Sequence, residues 1–155
     1  MDELKDIFIS PLSVEDAEDL TGLLISSRKK YSEHFIPFPF ELQVIKSILA
    51  SKQKDRYFGL WFDGKLVGFY MLLGFDQGYK IPSYGVWIAE DYSGKGLSKL
   101  TLQHAFTFCR LNKIPKLMLK VAPDNLAAKN IYESFGFKFS EVDNKIGHLI
   151  YFKEL

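Results

Sequence analysis

Apolar and polar positions along this chain follow two periods in turn, and the switches between them mark the elements. Residues 7–12, Ile-Phe-Ile-Ser-Pro-Leu, form a short apolar run with strand character. After Ser13 the period becomes helical, through Ala17, Leu20, Leu24 and Tyr31. Ser13 followed three positions later by Asp16 is a helix-start pair. Glu15, Asp16, Glu18 and Asp19 occupy the first turns and Arg28, Lys29 and Lys30 the last, as the helix dipole favours. The stretch "HFIPFPFE" at 34–41 holds two prolines and reads as a loop. A second helix is predicted over 40–52, with Leu42, Ile45 and Leu49 on one face.

The run "YFGLWFDGKLVGFYMLLGF" reads as a hairpin, because Asp63-Gly64 supplies the positive φ angles of a two-residue turn. Residues 83–89, "SYGVWIA", are the next strand. A helix is predicted from Leu97 to Leu111, with Leu97, Leu100, Phe108 and Leu111 on one stripe and Leu102 and Phe106 on another, hence covered on more than one side. "KLMLKVA" at 116–122 is a strand ended by Pro123-Asp124. A short helix follows, with Ala128, Ile131, Tyr132 and Phe135 at helical spacing and Gly136 at its end. Two last strands, 137–142 and 147–153, close around Asp143-Asn144-Lys145. The order βααβββαβαββ predicts one α+β domain over 1–155: a mostly antiparallel mixed sheet with helices on its faces.

Charge narrows the partners. Lys plus Arg number 20 and Asp plus Glu 19, so no global field draws the chain to nucleic acid or an anionic membrane. Cys109 is the only cysteine, which rules out an internal disulfide and fits a reducing compartment. The start, "MDELKDIF", is acidic and lacks the pattern of a signal peptide. No apolar run is long enough for a bilayer, so the expected location is cytoplasmic. His34, His104 and His148 have no metal-ligand spacing, and no metal is expected. Aromatic strands near the C-terminus leave monomer and homodimer both open.

The candidate chemistry begins at "EDYSGKGLS", residues 90–98, between a strand and a helix. A nucleotide P-loop would need Gly at position 89, which is Ala, and Ser or Thr at 96, which is Gly. A dinucleotide fingerprint would need Gly where Lys99 stands. Both readings fail, but the physics of anion binding survives: glycines let backbone N–H groups converge, and a helix N-terminus points its partial positive charge at the same place. Lys95 can add a full charge at the rim. The same residues also suit a plain strand-to-helix turn with an exposed lysine.

"SGKGLS" resembles the pyrophosphate loop of the GNAT superfamily, the acetyl-CoA-dependent N-acetyltransferases, whose pattern is Gln/Arg-x-x-Gly-x-Gly/Ala. Ser93 takes the first position, Gly96 the central glycine and Ser98 the last, so two of three defining positions depart while the backbone cradle is kept. "APDNLAAKNIYESFGF" is similar to the superfamily's second cofactor motif, with Asn125, Ala128, Tyr132, Gly136 and Phe137 matching. Gly85-Val86-Trp87-Ile88 ahead of Gly-Lys-Gly also resembles the branch of ribosomal-protein N-terminal acetyltransferases.

The resemblance implies a seven-strand, four-helix acyl-CoA N-acyltransferase fold in which the fourth and fifth strands splay. It implies transfer of acetyl from acetyl-CoA to a primary amine, on a small molecule or a peptide, by direct attack. The alternative function is a regulatory module that binds CoA or acyl-CoA without turnover. Cofactor contacts fall on Ser93, Gly94, Lys95, Gly96, Leu97 and Ser98, on Asn125 and Ala128, and on backbone groups of Trp87, Ile88 and Ala89, Ile88 facing the thioester carbonyl. Tyr132 takes the role of donor to the departing thiolate, or else packs as a core aromatic. Asn125 either touches the cofactor or caps its helix. Glu33, His34 and Phe35 wall the acceptor side, and Tyr84 is a candidate proton relay beside Glu90 and Asp91.

Overall fold

The computed structural model describes residues 3–26 and 38–155. Strand β1 (Ile7–Pro11) leads through a single 3-10 turn into helix α1 (Ala17–Ser26). The Asp16 carboxylate accepts the Ser13 N–H at 2.9 Å, as the helix-start pair requires. Helix α2 (Leu42–Ser51) precedes the hairpin of β2 (Arg56–Phe62) and β3 (Lys65–Leu73). Asp63 and Gly64 take φ of 54° and 73°, the left-handed pair that matches the twist of the strands they join. Then come β4 (Ser83–Ile88), α3 (Leu97–Leu111), β5 (Lys116–Val121), α4 (Leu126–Ser134), β6 (Lys138–Val142) and β7 (Leu149–Glu154). The expected seven-stranded mixed sheet with four helices is present among the described residues. Arg28 to Tyr31 lie outside them.

The strand order is β1-β2-β3-β4-β5-β7-β6, antiparallel at every neighbour except β4–β5. Two apolar layers hold it. On one face Leu20 and Leu24 of α1 and Ile45 and Leu49 of α2 are buried with Phe69, Met71 and Trp87. On the other, Leu102, Phe106 and Cys109 of α3 are buried with Tyr70, Leu72, Leu117 and Leu119. Alternation along β4 divides its side chains accordingly: Trp87 joins the α1–α2 face, Tyr84 the α3 face.

Helix α3 keeps its expected bounds, and of its two expected stripes the one with Leu102 and Phe106 is the buried face. Thr101, Leu102, Ala105, Phe106 and Cys109 are its buried residues, whereas Leu111 is 78% exposed. The helix is covered on one side only. Its inward stripe includes a threonine, an alanine and a cysteine, residues that a search for large apolar side chains passes over.

The contact between β3 and β4 fixes the strand that borders the site. A Cβ on Gly68 would sit 2.8 Å from the Trp87 carbonyl oxygen and 2.9 Å from the Ile88 side chain. Backbone oxygen cannot retreat without parting the strands. Gly68→Ala is therefore expected to lower stability by about 1–3 kcal/mol, read from the midpoint of a urea unfolding curve. An unchanged midpoint would contradict this packing.

Candidate active site

The parallel register of β4 and β5 holds only at Ser83–Met118 and Tyr84–Leu119. Beyond those pairs β4 runs on to Ile88 and β5 to Val121 without pairing each other. The gap opens into a cavity of about 570 Å³. Tyr84, Val86 and Ile88 line one wall, Val121 and Ala122 the other. Ser93, Gly94, Gly96, Leu97, Ser98 and Lys99 close one end, and Asn125, Ala128, Ile131 and Tyr132 line the side formed by α4.

The glycine end is built by backbone. Gly94 and Gly96 have φ of 74° and 88°, and a Cβ on either would meet nothing within 4 Å. Glycine is needed there for conformation rather than for space. Gly96 is the N-cap of α3, and no side chain caps it. The first intrahelical bond runs from the Leu100 N–H to the Gly96 carbonyl at 3.0 Å. The N–H groups of Leu97, Ser98 and Lys99 thus have no carbonyl ahead of them in the helix. Uncapped donors on a cavity wall suit a diphosphate, so the residues present fit the cofactor that the loop resembles a seat for.

Side chains at this end divide by use. The Ser93 hydroxyl donates to the Glu90 carbonyl at 2.8 Å, which ties it into its own turn. Lys95 is exposed and is not part of the cavity wall. Two lysines that the sequence reading did not single out are: Lys99, in the first turn of α3, and Lys120, on β5. Lys120 is paired with Asp143 at 2.7 Å, and this contact, with the Lys145 N–H, holds the Asp143 carboxyl below its usual range. Lys99 has no acidic partner among the described residues. Its signal in the sequence was its place one position after Ser98.

The expected backbone seat along Trp87, Ile88 and Ala89 is corrected at two of its three residues. The Ala89 N–H donates to the Val67 carbonyl at 2.9 Å. In an antiparallel pair that bond also commits Trp87, opposite Phe69, to β3. The Trp87 side chain packs edge-on against Phe40, ring centroids 5.6 Å apart, on the far face of the sheet. The alternation turns the backbone of Val86 and Ile88 toward the gap instead.

Tyr132 sits on α4 with its ring edge-to-face to Tyr84 and Phe137, at 6.4 and 5.8 Å. Its hydroxyl makes no hydrogen bond among the described residues, and burial pushes its pKa up to about 12. Asn125 is the N-cap of α4: its side-chain oxygen accepts the Ala128 N–H at 3.3 Å, while the residue also lines the cavity. Tyr84 does not fit a proton relay to an acceptor amine. Its hydroxyl is buried and hydrogen-bonded to Thr101 Oγ1 at 2.8 Å, and burial holds its pKa well above the ordinary value. Glu90 and Asp91 lie on the exposed turn Glu90–Tyr92, outside the cavity wall. Glu33, His34 and Phe35 fall outside the described residues. His104 contacts the Tyr70 hydroxyl, and burial lowers its pKa. Cys109 is fully buried, its thiol pushed up to about 11.

Known proteins share this sequence pattern and this fold. The chain is 34% identical over 124 residues to a spermine/spermidine N(1)-acetyltransferase of Bacillus subtilis, covering 74% of this chain and 82% of that protein. Its fold is similar to the PaiA N-acetyltransferase of Thermoplasma acidophilum in complex with coenzyme A, with TM-score 0.73 and 22% identity over 97% of this chain and 99% of that one. It is also similar to RimL, a ribosomal L7/L12 alpha-N-protein acetyltransferase in complex with coenzyme A. There the TM-score is 0.79 at 14% identity, over 96% of this chain and 94% of that one. No helix among the described residues is long and apolar enough to cross a membrane. Residues 20–137 match the family model of the Acetyltransferase (GNAT) family, and the chain belongs to that family.

Proposed function

We propose that this chain moves an acetyl group from acetyl-CoA to a primary amine within the cleft between β4 and β5. One observation carries the reading: the sheet parts into a cavity that has uncapped helix N–H groups at one end and the Tyr132 phenol on its side. Acetyl-CoA, when bound, supplies an acetyl thioester open to direct attack by the amine. The N–H groups of Ser98 and Lys99 bind the diphosphate, with the Lys99 ammonium as a point charge beside it. The edge of β4 at Val86–Ile88 aligns the extended arm. Tyr132 donates a hydrogen bond to the departing sulfur, which strengthens as charge builds there.

The proton need not cross fully. Burial holds the Tyr132 phenol at about 12, so at neutral pH it carries its proton and meets the departing sulfur as a donor. Tyr132 therefore acts mainly as a donor that stays a phenol.

For the acceptor we propose an aliphatic polyamine, because the relative at 34% identity is named for spermine and spermidine. The test is an acceptor panel of spermidine, spermine and a peptide with a free α-amine, each with acetyl-CoA. Free thiol release is followed, and the product mass identifies the acetylated amine. Release that depends on the polyamine supports the proposal. Release with the peptide alone overturns the acceptor and leaves the reaction. CoA binding without release on any amine would favour the regulatory module instead.

A further inference from the structure

A buried hydroxyl chain joins the point where the strands part to the anion end of the cleft. Thr101 is fully buried on the inner face of α3, one turn after the glycine loop. Its Oγ1 donates to the Ser98 carbonyl at 2.8 Å and lies 2.8 Å from the Tyr84 hydroxyl. A threonine hydroxyl has one proton. With that proton given to Ser98, Tyr84 must be the donor to Thr101, so the chain runs from Tyr84 through Thr101 to the Ser98 carbonyl.

Both ends have consequences. Tyr84 stands at the last pair, Tyr84–Leu119, before β4 and β5 separate. The Ser98 carbonyl belongs to the same peptide group as the Lys99 N–H, one of the three donors without a helical partner. A hydrogen bond accepted at the carbonyl polarises the peptide and strengthens its N–H as a donor. Back-bonding by a threonine three residues along a helix is common by itself. The donation from a second element is what makes this one a link between strand and helix.

We infer that Thr101 is a positioning residue for the cofactor's diphosphate, acting through the Ser98–Lys99 peptide, with Tyr84 holding it from β4. This inference rests on the proposed acetyl transfer. Thr101 touches no cofactor itself. It sets the orientation and strength of the Lys99 donor and fixes the first turn of α3 to the strand that carries the thioester seat.

The experiment compares acetyl-CoA with S-acetylpantetheine, which has the thioester arm but no diphosphate. In Thr101→Val, KM for acetyl-CoA is expected to rise about fivefold to tenfold, while kcat/KM for acetylpantetheine stays within about twofold of wild type. Thr101→Ser keeps the hydroxyl and restores acetyl-CoA use. Tyr84→Phe removes the first link without leaving a buried donor unpaired, so it serves where Thr101→Val fails to fold. It should raise KM for acetyl-CoA by a larger factor than KM for acetylpantetheine. Equal losses on both donors, or no loss in folded Thr101→Val and Tyr84→Phe, would overturn the positioning role and leave the acetyl-transfer proposal standing. Wild-type protein with no turnover on any amine would overturn that proposal and this inference with it.

Discussion

Replacing Tyr132 by Phe is expected to lower kcat by about 10²-fold or more while CoA affinity stays within about twofold of wild type. The substitution keeps the ring and its edge contacts with Tyr84 and Phe137. Only the hydroxyl goes, and that hydroxyl makes no hydrogen bond elsewhere among the described residues. Stability should therefore change little, and the loss should fall on the step in which sulfur departs. Isothermal titration with CoA and steady-state kinetics on one amine separate the two effects. The pH dependence adds a check. Burial raises the phenol to about 12, so it keeps its proton through the neutral and mildly alkaline range. Wild-type kcat/KM should rise or hold level up to about pH 9, as more of the amine is deprotonated. A fall near neutrality that vanished in Tyr132→Phe would show the phenol titrating there, against its burial. Wild-type kcat in the variant would remove Tyr132 from the chemistry.

The second large effect is at the glycine turn. Gly96→Asp is expected to weaken CoA binding by about 10²-fold or more, because a like charge set beside the diphosphate costs several kcal/mol. A Cβ at this position would meet no atom within 4 Å, so the side chain can start without a clash. It would still be strained at φ 88°. Its carboxylate would also cap the donors at the start of α3 and compete for them. Gly96→Ala separates these contributions: it adds the strain without the charge and should weaken binding far less. Calorimetry on both variants, with circular dichroism to show that they fold, decides the matter. Unchanged affinity in folded Gly96→Asp would remove this turn from the cofactor seat.

Much of the fold was legible because local chemistry agreed with global packing. Asp63-Gly64 marked the hairpin, and the change of period after Gly96 set the bounds of α3. The insertion of β7 between β5 and β6 has no local signature. It arises from pairing across the sheet, which single-strand patterns do not encode. The site was legible as two motifs, and the structure brings Gly94, Gly96, Ser98, Asn125, Ala128 and Tyr132 around one cavity. The misreadings at Trp87 and Ala89 have a single cause. Which backbone groups face β3 and which face the gap depends on the register of Ala89 against Val67, a relation between strands. Tyr84 and Thr101 were misjudged or missed for a related reason. A hydroxyl's partner lies on another element, 17 positions away in this case.

The lone thiol of this chain has a practical bearing on all of these measurements. Cys109 is buried on the inner face of α3 and its ionisation is displaced to about 11, so at neutral pH it is a poor nucleophile toward disulfide dyes. Colour that develops during turnover then belongs to coenzyme alone. One mole of dye reduced per mole of amine consumed becomes a stoichiometric record, free of background from the catalyst itself.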